Sequence, residues 1–291
     1  SDLNMEKKQY ITIGIVAIIA IAGVSGVVVY MNMPKGGKFV FGVMYGPVDL
    51  DPHQAWDSAS IDVIHAVVEG LLDVDVADPD LAIIPNLATS YSWSTDSKEI
   101  TFVLRQGVKF HDGTDFDATA VKWNFDRLYG LIDEIQIAEL WVLPSHEWII
   151  KETVVVDTYT VKLVLNEPYA PLLGLLASWS AYFMSPAATN KTALIDTATG
   201  DLVGTGPYIY DGTEAEVEVS FTPNPNYWDG KPAVDDMIFA IITDADAKNA
   251  ALLTGEISLI DSAMLSMIPT FEADPNIQVV DAAPSLSIQY L

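Results

Sequence analysis

One stretch constrains the fold more than any other: Glu99 to Arg127, EITFVLRQGVKFHDGTDFDATAVKWNFDR, runs strand, turn and capped helix together without a gap. Ile100, Phe102 and Leu104 alternate with Thr101, Val103 and Arg105, the period of a half-buried strand. His111-Asp112-Gly113 is turn chemistry, with Gly113 free to adopt a positive φ. Asp117 is placed to cap a helix whose Val121, Phe125 and Leu128 fall at i, i+4 and i+7 on one buried face.

The 291 residues are half apolar, which gives room for one or two domains with a substantial core. A net charge of −26, with only 14 Lys and Arg, excludes nucleic acid as a partner, because a phosphate backbone demands clustered cations. Such acidity fits a solvated surface in a salty or acidic setting; attraction of cations is the lesser alternative. With no cysteine there are neither disulfides nor thiolate sites, nor the residue that anchors a bacterial lipoprotein. His53, His65, His111 and His146 share no metal-ligand spacing, and Asp73, Asp75, Asp78 and Asp80 lack the glycine and terminal glutamate of a calcium loop. Neither GxSxG nor GxxxxGK[ST] occurs. No catalytic residue, metal or cofactor is expected.

Residues 1–9 form a polar tail with Lys7 and Lys8, and residues 10–33 carry no charge. As a helix this run reaches about 35 Å, enough to cross a bilayer, and it reads as a transmembrane signal anchor. Cleavage after Ala20-Ile21-Ala22 is the alternative; the continuing apolar run Val27-Val28-Val29-Tyr30 favours retention. Lysines flank both ends, so charge does not set orientation. Ala22 and Gly26 make a small-xxx-small pair suited to self-assembly through the helix. Residues 34–38 are a glycine-containing linker.

Beyond it, Phe39 to Val43 reads as a strand and Ile61 to Leu72 as an amphipathic helix. Thr153–Val156 and Tyr159–Leu165 form a hairpin turning at Asp157-Thr158. From Asp236 the pattern becomes βαβαβ: strand 236–242, a helix capped by Thr243 and stopped by Gly255, strand 256–260, helix 262–271 and strand 277–280. This implies a parallel sheet. Asn190-Lys191-Thr192 is a glycosylation sequon in polar surroundings, which makes Asn190 the expected acceptor. Ser287 to Leu291 still alternates like a strand, so the sequence reads as stopping inside a domain.

The run TFVLRQGVKFHDGTDFDATAVKWNFDR resembles the signature of the extracellular solute-binding proteins of family 5, the peptide, oligopeptide and nickel receptors of ABC importers. Leu50-Asp51-Pro52, Pro85-Asn86-Leu87-Ala88, Gly204-Thr205-Gly206-Pro207-Tyr208, Asn226-Tyr227-Trp228, Gly230-Lys231-Pro232 and Leu253-Thr254-Gly255-Glu256-Ile257 follow in the family's order. The resemblance implies an α/β, periplasmic-binding-protein-like fold (class II, cluster C). Of this the chain would be the first lobe, after one transmembrane helix: a base domain of residues 39–80 and 201–291, with a β-rich subdomain of residues 81–200 inserted. A second lobe would enclose the ligand.

The resemblance also implies a membrane-anchored extracellular protein, not an enzyme, that delivers peptides or similar small solutes to an ABC permease. A surface-layer or filament subunit on the same scaffold is the alternative. In proteins it resembles, the loop after the first strand borders the ligand cleft, which points to Tyr45, Gly46, Pro47 and Asp51. An ordinary turn, with Asp51 tied to local backbone, fits the same residues. Trp179 and Tyr182 are suited to lining a pocket or to packing a core.

Overall fold

The computed structural model describes residues 27–31, 37–75, 78, 80–198, 200–232, 234–261 and 263–281. The expected 1–9 tail, residues 10–26, 32 and 33 of the expected span, residues 34–36 of the linker and the expected last strand all lie outside them.

The chain begins with strands β1 (Val27–Met31) and β2 (Lys38–Val43), helix α1 (Ser58–Val67), and strands β3 (Leu72–Val74) and β4 (Ile83–Pro85). Strands β5 (Ala88–Trp93) and β6 (Glu99–Leu104), helix α2 (Ala118–Gly130), the hairpin β7 (Ile150–Asp157) and β8 (Thr160–Leu165), and the short α3 (Leu172–Leu176) follow. Then come β9 (Tyr208–Glu214), β10 (Glu218–Pro223), β11 (Asp236–Ile241), α4 (Ala245–Thr254), β12 (Leu259–Ile260), α5 (Ile268–Glu272) and β13 (Ile277–Asp281).

Two sheets carry the fold. A seven-stranded sheet, ordered β13-β1-β12-β2-β11-β10-β9, draws on residues 27–43 and 208–281; a four-stranded antiparallel sheet, β5-β6-β8-β7, draws on residues 88–165. In the larger sheet β11 and β12 both pair parallel with β2, and β13 runs the same way on the far side of the antiparallel β1. Successive side chains of β2 face opposite layers, as strand geometry requires. Phe39, Phe41 and Val43 pack with Val63, Ile64 and Val67 of α1, whereas Val40 joins Leu252 of α4 with Ile257 and Ile260. Gly42 lets that second layer approach, since a Cβ there would sit 2.6 Å from Ile257 Cδ1.

The stretch from Glu99 to Arg127 folds as its period and capping residues dictate. Ile100, Phe102 and Leu104 are buried, Gly113 has φ +85°, and the Asp117 carboxylate accepts from the Thr119 and Ala120 N–H groups. Val121, Phe125 and Leu128 bury the inner face of α2 in a cluster with Phe116, Trp141 and Phe183. Each such side chain contributes roughly 1.5–3 kcal/mol on burial. Asn124, buried in mid-helix, accepts from Met184 N and donates to Met184 O, stapling that segment to α2.

Several boundaries differ from expectation. Val27–Met31, the end of the expected span, is a strand in register with β12 and β13, where consecutive β-branched valines and a tyrosine suit a pleated surface. Among the described residues no helix is long and apolar enough to cross a membrane. Helix α1 stops at Val67, not Leu72, because backbone pairing claims the next residues: Gly206 N donates to Val67 O, Phe183 N to Glu69 O and Leu87 N to Gly70 O. Asp244 caps α4 in place of Thr243, its carboxylate accepting from Ala247 N, and Gly255 stops it in a left-handed conformation. The hairpin turns one residue later, at Thr158-Tyr159. Strand β12 is confined to Leu259–Ile260, and α5 begins only at Ile268, with Pro269 in its first turn, where a missing N–H costs nothing.

Candidate functional site

Because β2, β11 and β12 run parallel, their C-terminal ends open on one edge of the sheet, the place where open α/β sheets leave a crevice for ligands. The loop after β2 crosses this edge. Gly46 passes so close over the end of β11 that a Cβ would lie 2.9 Å from Ile241 Cδ1. Ser60 Oγ fixes the loop to α1, accepting from Val48 N at 2.9 Å and Asp49 N at 3.0 Å while donating to Asp57 at 2.6 Å. Asp57 in turn caps α1 through Ser60 N. A rigid backbone ledge results, and Tyr45, 65 % exposed, stands on it.

Beside the ledge, the Trp179 indole N–H donates to Ala55 O at 3.0 Å, and Trp56 meets Trp179 edge-on with centroids 6.5 Å apart. Trp56 is 54 % exposed. Sequence reasoning missed it, although a lone aromatic in the polar run Gln54-Ala55-Trp56-Asp57-Ser58 was a usable signal.

Of the six residues expected to bind ligand, Tyr45, Gly46 and Pro47 lie together on the edge, and Trp179 is half-buried against Ala55 and Trp56. Asp51 and Tyr182 do not, and both expectations are corrected. Asp51 is fully buried, and its carboxylate accepts from both terminal nitrogens of Arg127, from His53 N and from Ile195 N. Arg127 spends its remaining donors on Asn190 O, Ala193 O and His53 Nδ1. Burial pushes the Asp51 pKa up, but the Arg127 hydrogen bonds and the nearby positive charge outweigh it and hold the group below its ordinary value. His53, desolvated beside the guanidinium, is depressed to about 3 and stays neutral. Tyr182 is buried against His65, and its ring fills the space that a Cβ on Gly70 would take. Asn190 is exposed, and its side-chain oxygen accepts from Thr192 N and Oγ1.

A second polar node escaped the sequence reading. Glu69, buried just after α1, accepts from Thr205 Oγ1 at 2.7 Å, Tyr227 OH at 2.9 Å and Trp228 Nε1 at 3.1 Å, and the Arg105 guanidinium lies 3.9 Å above the Trp228 ring. Burial outweighs these three bonds and raises the Glu69 pKa. Close beside it, Gly204 lies where a Cβ would be 2.0 Å from Val67 O, so the segment tolerates no side chain. The node is structural: it binds Gly204–Tyr208 and Asn224–Trp228 to the end of α1.

A groove of about 490 Å³ lies elsewhere, on the four-stranded sheet between Ser94, Lys98, Glu99, Lys151 and Asn166, and has no aromatic lining. Ligand pockets are mostly apolar and aromatic with a few placed polar groups, so the edge with Tyr45 and Trp56 is the better candidate.

Known proteins resemble the chain through this same architecture. The Glutathione-binding protein GsiB of Salmonella paratyphi A is 32% identical over 247 residues, covering 83% of this chain and 45% of that protein. GsiB of Escherichia coli K12 is 32% identical over 244 residues with the same coverage. The chain thus spans about half the length of the curated relatives it matches. Among solved structures, the ABC transporter-associated periplasmic binding protein DppA from Helicobacter pylori, in complex with peptide STSA, superposes with a TM-score of 0.70 at 27% identity, covering 83% of this chain and 50% of that one. NikA from Brucella suis, in complex with Fe(III)-EDTA, gives 0.65 at 30% identity, with coverages of 76% and 42%. The profile described as "Bacterial extracellular solute-binding proteins, family 5 Middle" matches residues 82–291, from the strands around the Glu99–Arg127 unit through the parallel strands of the larger sheet. On that match the chain belongs to the bacterial extracellular solute-binding proteins of family 5.

Proposed function

We propose that this chain is the first lobe of a receptor, held outside the cell, that captures peptides or similar small solutes and passes them to an ABC permease. The observation that carries the reading is the ledge: backbone at Tyr45-Gly46-Pro47, pinned by Ser60 at the C-terminal edge of three parallel strands, with Tyr45 and Trp56 exposed beside it. An extended peptide docks on such a ledge through its own main chain, which fixes it with little regard to side-chain identity. A glutathione-binding relative and a peptide-bound neighbour support the substrate class.

In this reading a second lobe faces the ledge, and hinge closure on the solute follows from its higher affinity for the closed form. Two observations support a base domain of residues 39–80 and 201–291 with 81–200 inserted: β2 and β9–β13 share one sheet, and β5–β8 form another. The uncharged residues that precede β1, 10–26, are the proposed tether, and exposed Asn190 the proposed glycan acceptor. The assembly alternative rests on residues outside the described ones and has no observation of its own.

Calorimetry of the 291-residue chain with glutathione and the peptide Ser-Thr-Ser-Ala tests the reading. Saturable binding with a dissociation constant above about 10 µM is expected from one open lobe. Absence of saturable binding to every peptide tried contradicts the peptide reading, and submicromolar affinity contradicts the one-lobe account.

A further inference from the structure

Four aspartates surround the same edge, and two of their carboxylates have a partner within the fold. Asp57 bonds Ser60 through both its main-chain N–H and its hydroxyl. Asp261, directly after β12, takes the Lys248 ammonium of α4 at 3.3 Å. Asp49, near Asp57 and Asp51, is partly exposed on the loop. Asp62 of α1 differs: it is only 8 % exposed, and among the described residues no hydrogen bond or ion pair reaches its carboxylate.

The charged groups facing it are Asp261 from the end of β12 and Asp57 from the loop before α1, both negative. On its own helix, His65 is buried against Tyr182 and neutral. The Asp62 oxygens keep some contact with solvent, and a mostly buried carboxylate near two others, with no protein donor, lowers its energy by holding a proton or a cation.

We propose that Asp62 is a recognition carboxylate for a positively charged group of the bound solute, an ammonium or a guanidinium, at the C-terminal edge of the parallel strands. The assignment rests on the solute-binding reading above and names a chemical class within it. Asp261 follows β12 and Asp57 is tied to the Ser60 that pins the loop, so their common neighbour Asp62 belongs to the edge that carries the exposed Tyr45 and Trp56. An organic cation with N–H donors is the matching partner, because its N–H groups bond carboxylate oxygens directly. Without solute, burial first and then the charges of Asp261 and Asp57 hold the pKa of Asp62 well above the ordinary carboxylate range, so it keeps a proton. An arriving cation displaces that proton to solvent.

The test is a nuclear magnetic resonance titration of the 291-residue chain with butylguanidinium and its uncharged analogue butylurea. Saturable shifts at the amides of residues 57–63 and 261 with butylguanidinium alone are expected, weakened roughly tenfold or more in Asp62→Asn. Circular dichroism checks that the variant is folded. A readout on the unaltered chain stands beside it: at mildly acidic pH, calorimetry in two buffers of different ionisation enthalpy detects protons released, up to one per bound guanidinium, and apparent affinity rises with pH. Equal shifts with butylurea, binding unchanged in Asp62→Asn, no proton release, or no saturable shift at all each overturn the assignment. Peptides that bind equally to the chain and to Asp62→Asn overturn it while leaving the receptor reading in place. A chain that binds neither peptide nor butylguanidinium overturns both.

Discussion

Asp51 and Asp62 are close in sequence, both are withdrawn from solvent, and they are treated in opposite ways. Around Asp51 every lone pair is engaged: a guanidinium, two backbone N–H groups and a neutral histidine close the site, and its pKa is held down. Around Asp62 no donor reaches the carboxylate, and burial, with the charges of Asp57 and the Lys248-paired Asp261, drives its pKa up. A buried charge whose partners lie within the fold holds the fold together, whereas one without them is available to something outside it. Glu69 stands between the two, satisfied by neutral donors and by no cation.

The sharpest way to break this comparison is Arg127→Met, which keeps an apolar stem but strands the Asp51 carboxylate. It should cost about 3–5 kcal/mol in urea denaturation, with part of the loss recovered by adding Asp51→Asn. A loss below about 1 kcal/mol would show that the ion pair does not organise the interior. Glu69→Gln turns one accepting oxygen into a donor facing other donors, and should lower stability by roughly 1–3 kcal/mol in the same assay.

Asp62→Asn should have the opposite sign. In the folded chain Asp62 keeps a proton that the unfolded chain gives up above its ordinary pKa of 3.8, so stability falls as pH rises from there through the raised folded value. The variant escapes this fall, gaining about 1 kcal/mol at pH 8 and nothing below pH 3.8. Destabilisation at pH 8 would mean that Asp62 has an internal partner after all. At the small end, Lys122→Ala breaks the half-exposed pair Lys122–Asp126 on α2 and should change stability by less than about 0.5 kcal/mol.

What the sequence made legible was what neighbouring residues decide. The strand, turn and cap between Glu99 and Arg127 depend on side-chain period, a glycine at positive φ and an aspartate one turn from its targets, all within a few residues. The stop of α1 was not legible, because backbone groups of Phe183 and Gly206, far along the chain, compete for its last turn. The candidate site residues divide the same way. Tyr45 to Pro47 follow directly from a strand end, whereas the fate of Asp51 depends on Arg127, and Trp56 gains its meaning only beside Trp179. The short motifs also acquire a physical reason. Leu50-Asp51-Pro52 and the Arg127 that closes the long run are the two sides of one ion pair, while Gly204-Thr205-Gly206 and Asn226-Tyr227-Trp228 meet at Glu69.

The central claim is that solute is held at the C-terminal edge of β2, β11 and β12. Hydrogen exchange of the 291-residue chain, with and without saturating peptide, tests it most directly. Slowed exchange concentrated in residues 44–49 and 56–62 and at Asp261 is the predicted result; slowing confined to the groove between Ser94 and Asn166, with the edge unchanged, would contradict it.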